Sequence, residues 1–169
     1  MMTIRQAVNW GAEKLRDNNV DNAEYYSFEL LSSINGMTRT FYFINGDNEL
    51  SEKDFCLFKE YIEKRASHKP LQHILGKAYF YGYEFVVNEN VLIPRQDTEI
   101  LVSEVIKVAK DGYDISGVDY TASMLHQAKM KAAEAGLRIN FIQADIRTLD
   151  LQKKYDLIFI PFNSIHHLY

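Results

Sequence analysis

The chain has 169 residues and a mass of 19.7 kDa, enough for one sizeable core or two small ones. Hydrophobic residues at 47% and charged residues at 25% fit a folded globular protein and exclude a low-complexity or disordered one. The net charge of -4 and pI near 5.7 leave no basic footprint, so no nucleic-acid partner is expected.

In chain order, Thr3 to Asp17 places Ile4, Ala7, Val8, Ala12 and Leu15 at helical spacing, and Asn18 with Asn19 closes that helix. Asp21 and Glu24 read as a capping box opening a second helix that ends at Gly36. Thr38 to Ile44 reads as a short aromatic turn, and Ser51 with Glu52 and Asp54 opens a further helix through Phe58, Tyr61 and Ile62. Cys56, the sole cysteine, falls in that helix between Phe55 and Phe58 and is expected to be a buried thiol. It excludes an intramolecular disulfide and a CxxC metal site. No run approaches the roughly 18 apolar residues of a membrane span, and the first helix follows the N-terminus directly, so the expected location is cytoplasmic.

The pattern changes after residue 68. Pro70 to Gly76 is a connector. Ala78 to Phe80 and Tyr83 to Val87, joined by Tyr81 and Gly82, predict a β-hairpin, and Val91 to Pro94 is extended. Asp97 and Thr98 open a helix with Ile100, Leu101, Val105 and Ile106 on its apolar face. Ile115 to Asp119 predicts a strand, Thr121 to Ala135 a helix capped by Thr121 and closed by Gly136, Ile139 to Gln143 a second strand, and Tyr155 to Ile160 a third. The expectation is therefore an α/β chain: an N-terminal helical bundle plus β-hairpin, then a partial Rossmann-like parallel sheet of about three strands. The domains are expected at 1–68, 69–96 (connector and hairpin) and 97–169.

Asp119 and Asp145 stand just past two strand ends, one helix apart. In doubly wound sheets ligands bind outside the carboxyl ends of the strands, and a carboxylate there accepts both hydroxyls of a ribose. Either aspartate alone is equally a helix cap or a solvated turn residue. Together they point to a nucleoside. His126 and the adjacent pair His166 and His167 read as rim or surface residues, since neighbouring histidines point apart and no carboxylate joins them at ligand spacing.

The string GVDYTASMLHQAK…FIQADIRTLDL…YDLIFIPFN resembles the middle of a class I S-adenosylmethionine (SAM) methyltransferase domain. That resemblance implies SAM as cofactor, with Asp119 on the ribose hydroxyls, Tyr120 against the adenine, and Asp145 with Ile146 at the adenine edge. The run PLQHILGKAYFYGYEFVVNENVLIPRQDTE, Pro70 to Glu99, is similar to the release-factor glutamine methyltransferases of the HemK/PrmC type, a likeness that covers roughly residues 1–108. It implies a helical domain that helps to hold a peptide chain release factor. It also implies that the LIPRQDTE segment, with Arg95 and Thr98, borders the cofactor and substrate pocket.

Two departures accompany the likeness. The family's D-x-G-x-G-x-G strand and loop, whose glycines let the backbone approach the methionine end of SAM, has no counterpart: Val108-Ala109-Lys110 passes straight to Asp111-Gly112-Tyr113. Where the family carries Asn-Pro-Pro-Tyr for the acceptor glutamine, the chain has Ile160-Pro161-Phe162-Asn163, so Pro161, Phe162 and Asn163 are the substrate-side candidates. These departures suggest a hybrid joined near residues 108–113, with impaired or absent activity. No catalytic side chain is assigned. Loss of the first strand leaves the strands ending at Asp119 and Ile160 to pair directly, or leaves a gap for another chain; exposed apolar strand edges favour a homodimer. The alternatives to an enzyme are a non-catalytic protein-binding module and an inactive chimeric fold.

Overall fold

A computed structural model describes residues 2–160. It divides the chain into two compact units that meet in sequence at Pro94 and Arg95. No helix among the described residues is long and apolar enough to cross a membrane.

The first unit is helical. Helix α1 (Ile4–Asp17) starts at a reciprocal cap: the Gln6 amide donates to Thr3 Oγ1 at 3.2 Å, and the Thr3 amide donates to Gln6 Oε1 at 2.9 Å. Its apolar stripe packs with helices α2 (Ala23–Asn35) and α4 (Glu52–Ala66) around Leu15, Leu30, Leu31, Phe58 and Ile62, all buried. Close approach of the helices depends on Gly11. A Cβ there would lie 2.5 Å from Ser27 Oγ, 2.7 Å from Phe58 and 2.9 Å from Ile62. Ser27 is the one buried polar residue of this core, and its hydroxyl donates to the Val8 carbonyl at 2.6 Å, so its burial leaves no unmade bond.

Four sequence expectations change here. Helix α2 is entered through Asn22 in the left-handed region (φ 54°) with no side-chain cap, so Asp21 forms no capping box. The aromatic segment is helix α3 (Arg39–Asn45), because Thr38 Oγ1 accepts the Phe41 amide at 3.1 Å and nucleates a turn. Within the Pro70–Gly76 connector lies a short helix, α5 (Leu71–Leu75), stopped by Gly76 at φ 73°. Cys56 is exposed. The buried stripe of α4 runs through Phe58 and Ile62, one helical turn apart, and a residue two positions before Phe58 sits on the other side of the helix.

The hairpin matches its pattern closely. Strands β1 (Lys77–Phe80) and β2 (Tyr83–Val86) pair antiparallel from Lys77↔Val86 to Phe80↔Tyr83. Tyr81 (φ 50°) and Gly82 (φ 77°) both turn left-handed, as a two-residue hairpin loop that matches strand twist requires.

The second unit opens with helix α6 (Asp97–Lys110) and continues as β3 (Ile115–Asp119), α7 (Ala122–Glu134) and β4 (Ile139–Gln143). β3 and β4 are parallel, in register from Ile115↔Ile139 to Asp119↔Gln143, so this is a β–α–β unit of Rossmann-like kind. Leu125 and Ala132 form the buried face of α7. Gly117 lies opposite Phe141, whose ring comes within 3.1 Å of where a Cβ would be; the absence of a side chain admits the aromatic ring. Between α6 and β3 there is only the turn Asp111 to Asp114, with Gly112 at φ 88°.

The third strand expected at Tyr155–Ile160 is not formed. Those residues make no ladder, and Leu157 and Ile158 are 78% and 74% exposed. An apolar run becomes a strand only when a neighbour takes its backbone groups. The described sheet has two strands.

Candidate nucleoside-binding site

The site is built by the parallel pair. Because Asp119 and Gln143 end β3 and β4 in the same register, the two chains leave the sheet side by side. The Ala144 amide donates to the Asp119 carbonyl at 3.1 Å, and Gln143 Nε2 donates to the Tyr120 carbonyl at 3.1 Å. These bonds hold the 119–121 and 143–147 segments as the two walls of one cavity of about 390 Å3. Its lining is Val118, Asp119, Tyr120, Ala144, Asp145, Ile146 and Arg147.

The Asp119 side chain is oriented by the chain it precedes. Its Oδ1 accepts the Thr121 amide at 2.7 Å, while no bond to Oδ2 forms among the described residues. Thr121 itself makes no side-chain cap on α7, so the expected Thr cap is replaced by this aspartate turn. The result is a carboxylate held in place with one oxygen open, suited to hydroxyl donors. Tyr120 is 73% exposed and Ile146 37% exposed, so each wall presents apolar surface suited to a flat ring.

Asp145 is occupied. Its Oδ1 accepts both the Arg147 amide and Arg147 Nε at 2.9 Å, and its Oδ2 pairs with the Arg147 guanidinium. The guanidinium hydrogen bonds, aided by the backbone amide, hold the Asp145 carboxyl down at about 2 from its ordinary 3.8. Asp145 is thus an anion at any working pH, with its charge compensated. Sequence reasoning missed Arg147. The signal was present as D-x-R directly after a strand, a spacing at which an aspartate turn brings the two side chains together.

The structure brings Asp119, Tyr120, Asp145 and Ile146 around one cavity. Arg95 and Thr98 are not brought to it: Arg95 pairs with Asp97 at 3.0 Å and its carbonyl accepts the Thr98 amide at 3.1 Å, at the start of α6. Neither lines the cavity. Pro161, Phe162, Asn163, His166 and His167 lie outside the described residues. Among the described residues no cluster of three or more His, Cys, Asp or Glu is placed to hold a metal ion.

Residues 6–76 match the PrmC N-terminal domain, and residues 92–169 match a methyltransferase domain. The chain carries a PrmC N-terminal domain and a methyltransferase domain. Among curated relatives it is similar to the release factor glutamine methyltransferase of Geobacter sulfurreducens, 37% identical over 107 residues, covering 63% of this chain and 38% of that protein. That of Caulobacter vibrioides is 33% identical over 120 residues, covering 70% and 42%. That of Bacillus subtilis is 28% identical over 189 positions, covering 94% of this chain and 65% of the relative. The chain therefore spans between about two-fifths and two-thirds of these relatives' length. The Bacillus alignment uses 189 positions to cover 94% of 169 residues, so about thirty of its positions face a gap in this chain.

Proposed function

We propose that the second unit binds the nucleoside end of SAM and that the whole protein descends from enzymes that methylate a glutamine of a peptide chain release factor. The observation that supports this most directly is the cavity at the β3 and β4 ends. There Asp119 holds a carboxylate with Oδ2 open for ribose hydroxyls, and Tyr120 and Ile146 offer apolar walls for the adenine. Asp145 serves that ring's edge through an anion already shared with Arg147.

The fit covers half of the cofactor. When bound, SAM supplies an electrophilic methyl group on sulfonium. The chain's own residues would orient it by the ribose and leave the methionine end without the glycine amides that cradle it in the family. The turn from Asp111 to Asp114 stands where that strand and loop are expected, and a loss there is within the roughly thirty positions of the Bacillus relative that this chain leaves unmatched. We read the join near residues 108–113 in the same way. The consequence is weak positioning of the methyl group, and positioning is most of what methyl transfer asks of a protein. The proposal is therefore nucleoside binding with strongly reduced transfer. SAM carrying a labelled methyl group, incubated with the protein and a release factor, tests it. Incorporation at the rate of an intact relative contradicts it.

A protein-binding role is favoured separately by the helical unit, residues 1–68. Phe43 and Ile44 on α3 are 71% and 76% exposed beside Phe41, an apolar surface that a release factor would cover. The homodimer expected from open strand edges concerns the other unit.

A further inference from the structure

We infer that the unpaired edge of β3 is a docking edge for this chain's own segment Tyr155–Ile160, which closes onto it as a third parallel strand. This goes beyond nucleoside binding and does not depend on it. In a parallel ladder successive residues send their backbone groups to opposite sides. The Ala144 amide bonds the Asp119 carbonyl, so Asp119, Gly117 and Ile115 serve β4. Ser116 and Val118 then direct their amides and carbonyls to the free side, where no described loop or turn group bonds them. The same strand carries a second unmet group: Ser116 Oγ is buried with no hydrogen-bond partner among the described residues. An added strand takes up the backbone amides and carbonyls of Ser116 and Val118.

The occupant is indicated by an anchor. Lys153 Nζ pairs with Asp114 Oδ2, and Asp114 immediately precedes β3. Lys153 also lies 5.0 Å from the Tyr155 ring, so Tyr155 is held near the residue from which β3 starts. A parallel partner must begin at that end, and the six-residue run YDLIFI is long enough to match Ile115–Asp119. The run is apolar and open: Leu157, Ile158, Phe159 and Ile160 are 78%, 74%, 45% and 44% exposed. In the intact family pattern another strand separates these two. Here the turn at Asp111–Asp114 leaves that place vacant, and closing the strap across it brings Ile160 to the Asp119 end of the sheet, beside the cavity.

Amide hydrogen exchange on dilute full-length protein, with its mass followed by light scattering, tests this. The expected result is a monomer in which Ser116, Val118 and alternate amides within 155–160 exchange at least about tenfold more slowly than in an unfolded chain. Asp114→Lys should abolish that protection, and Asp114→Lys with Lys153→Asp should restore it. Protection of the Ala144 amide in every variant reports that β3 and β4 are still paired. Exchange of 155–160 at unfolded rates in the monomer overturns the inference. So does protection that appears only as the mass doubles, which assigns the edge to a second copy.

Discussion

Arg147 wraps Asp145 from two directions, with its backbone amide at 2.9 Å on Oδ1 and its guanidinium across both oxygens. The pair is local, two residues apart, yet it sets the charge of the cavity wall. Replacing Arg147 with Ala should return the Asp145 carboxyl from about 2 towards its ordinary 3.8. The folded-state value is the depressed one, so the contribution of this pair to stability is fully present above 3.8 and is lost as pH falls towards about 2. Carboxyl-carbon NMR titration of the wild type and the variant checks both the shift and its direction.

Asp119→Asn keeps an oxygen that can accept the Thr121 amide but removes the negative charge offered to ribose hydroxyls. Hydrogen bonds to a charged group are worth about 1.5–3 kcal/mol, so adenosine binding should weaken by about tenfold or more while β3 and α7 remain folded. Equilibrium dialysis with adenosine measures the loss. Unchanged binding would remove the ribose role from Asp119.

Gly117 faces Phe141 so closely that an added Cβ would lie 3.1 and 3.2 Å from ring carbons, and the ring must give way to any side chain there. Gly117→Val should destabilise the β3–β4 unit by about 1–3 kcal/mol, and Phe141→Leu in the same chain should recover part of it. Exchange of the Ala144 amide reads the ladder directly, and the helical unit serves as an internal reference.

Gly11→Leu asks more of its surroundings. The new side chain meets Ser27, Phe58 and Ile62 and displaces the hydroxyl bonded to Val8. Overpacking at a three-helix contact costs about 3 kcal/mol or more, enough to broaden or remove the cooperative thermal transition of the first unit. Ser27→Ala is the milder probe, at about 1 kcal/mol.

Much of this was legible because it is written in local chemistry. Ser51 announces α4 and accepts the Asp54 amide at 3.0 Å, and the strands expected at Ile115–Asp119 and Ile139–Gln143 form with those ends. Asp119 ends β3 and Asp145 follows β4, the positions at which the sequence expects them. What failed depended on competition or on partners. Asp21 offered a cap, but Asn22 turned left-handed and ended the choice. Tyr155–Ile160 has strand residues and, in this conformation, no strand beside it. Arg147 escaped because its role exists only once the chain after β4 has turned.

On the proposed function, this protein holds the nucleoside of SAM and little else of it. Titration calorimetry of adenosine and of SAM against the wild type and Asp119→Ala tests that most directly. The account predicts that both ligands bind within about threefold of each other and that both are lost in the variant. SAM binding about a hundredfold tighter than adenosine, or binding of both that survives Asp119→Ala, would contradict it.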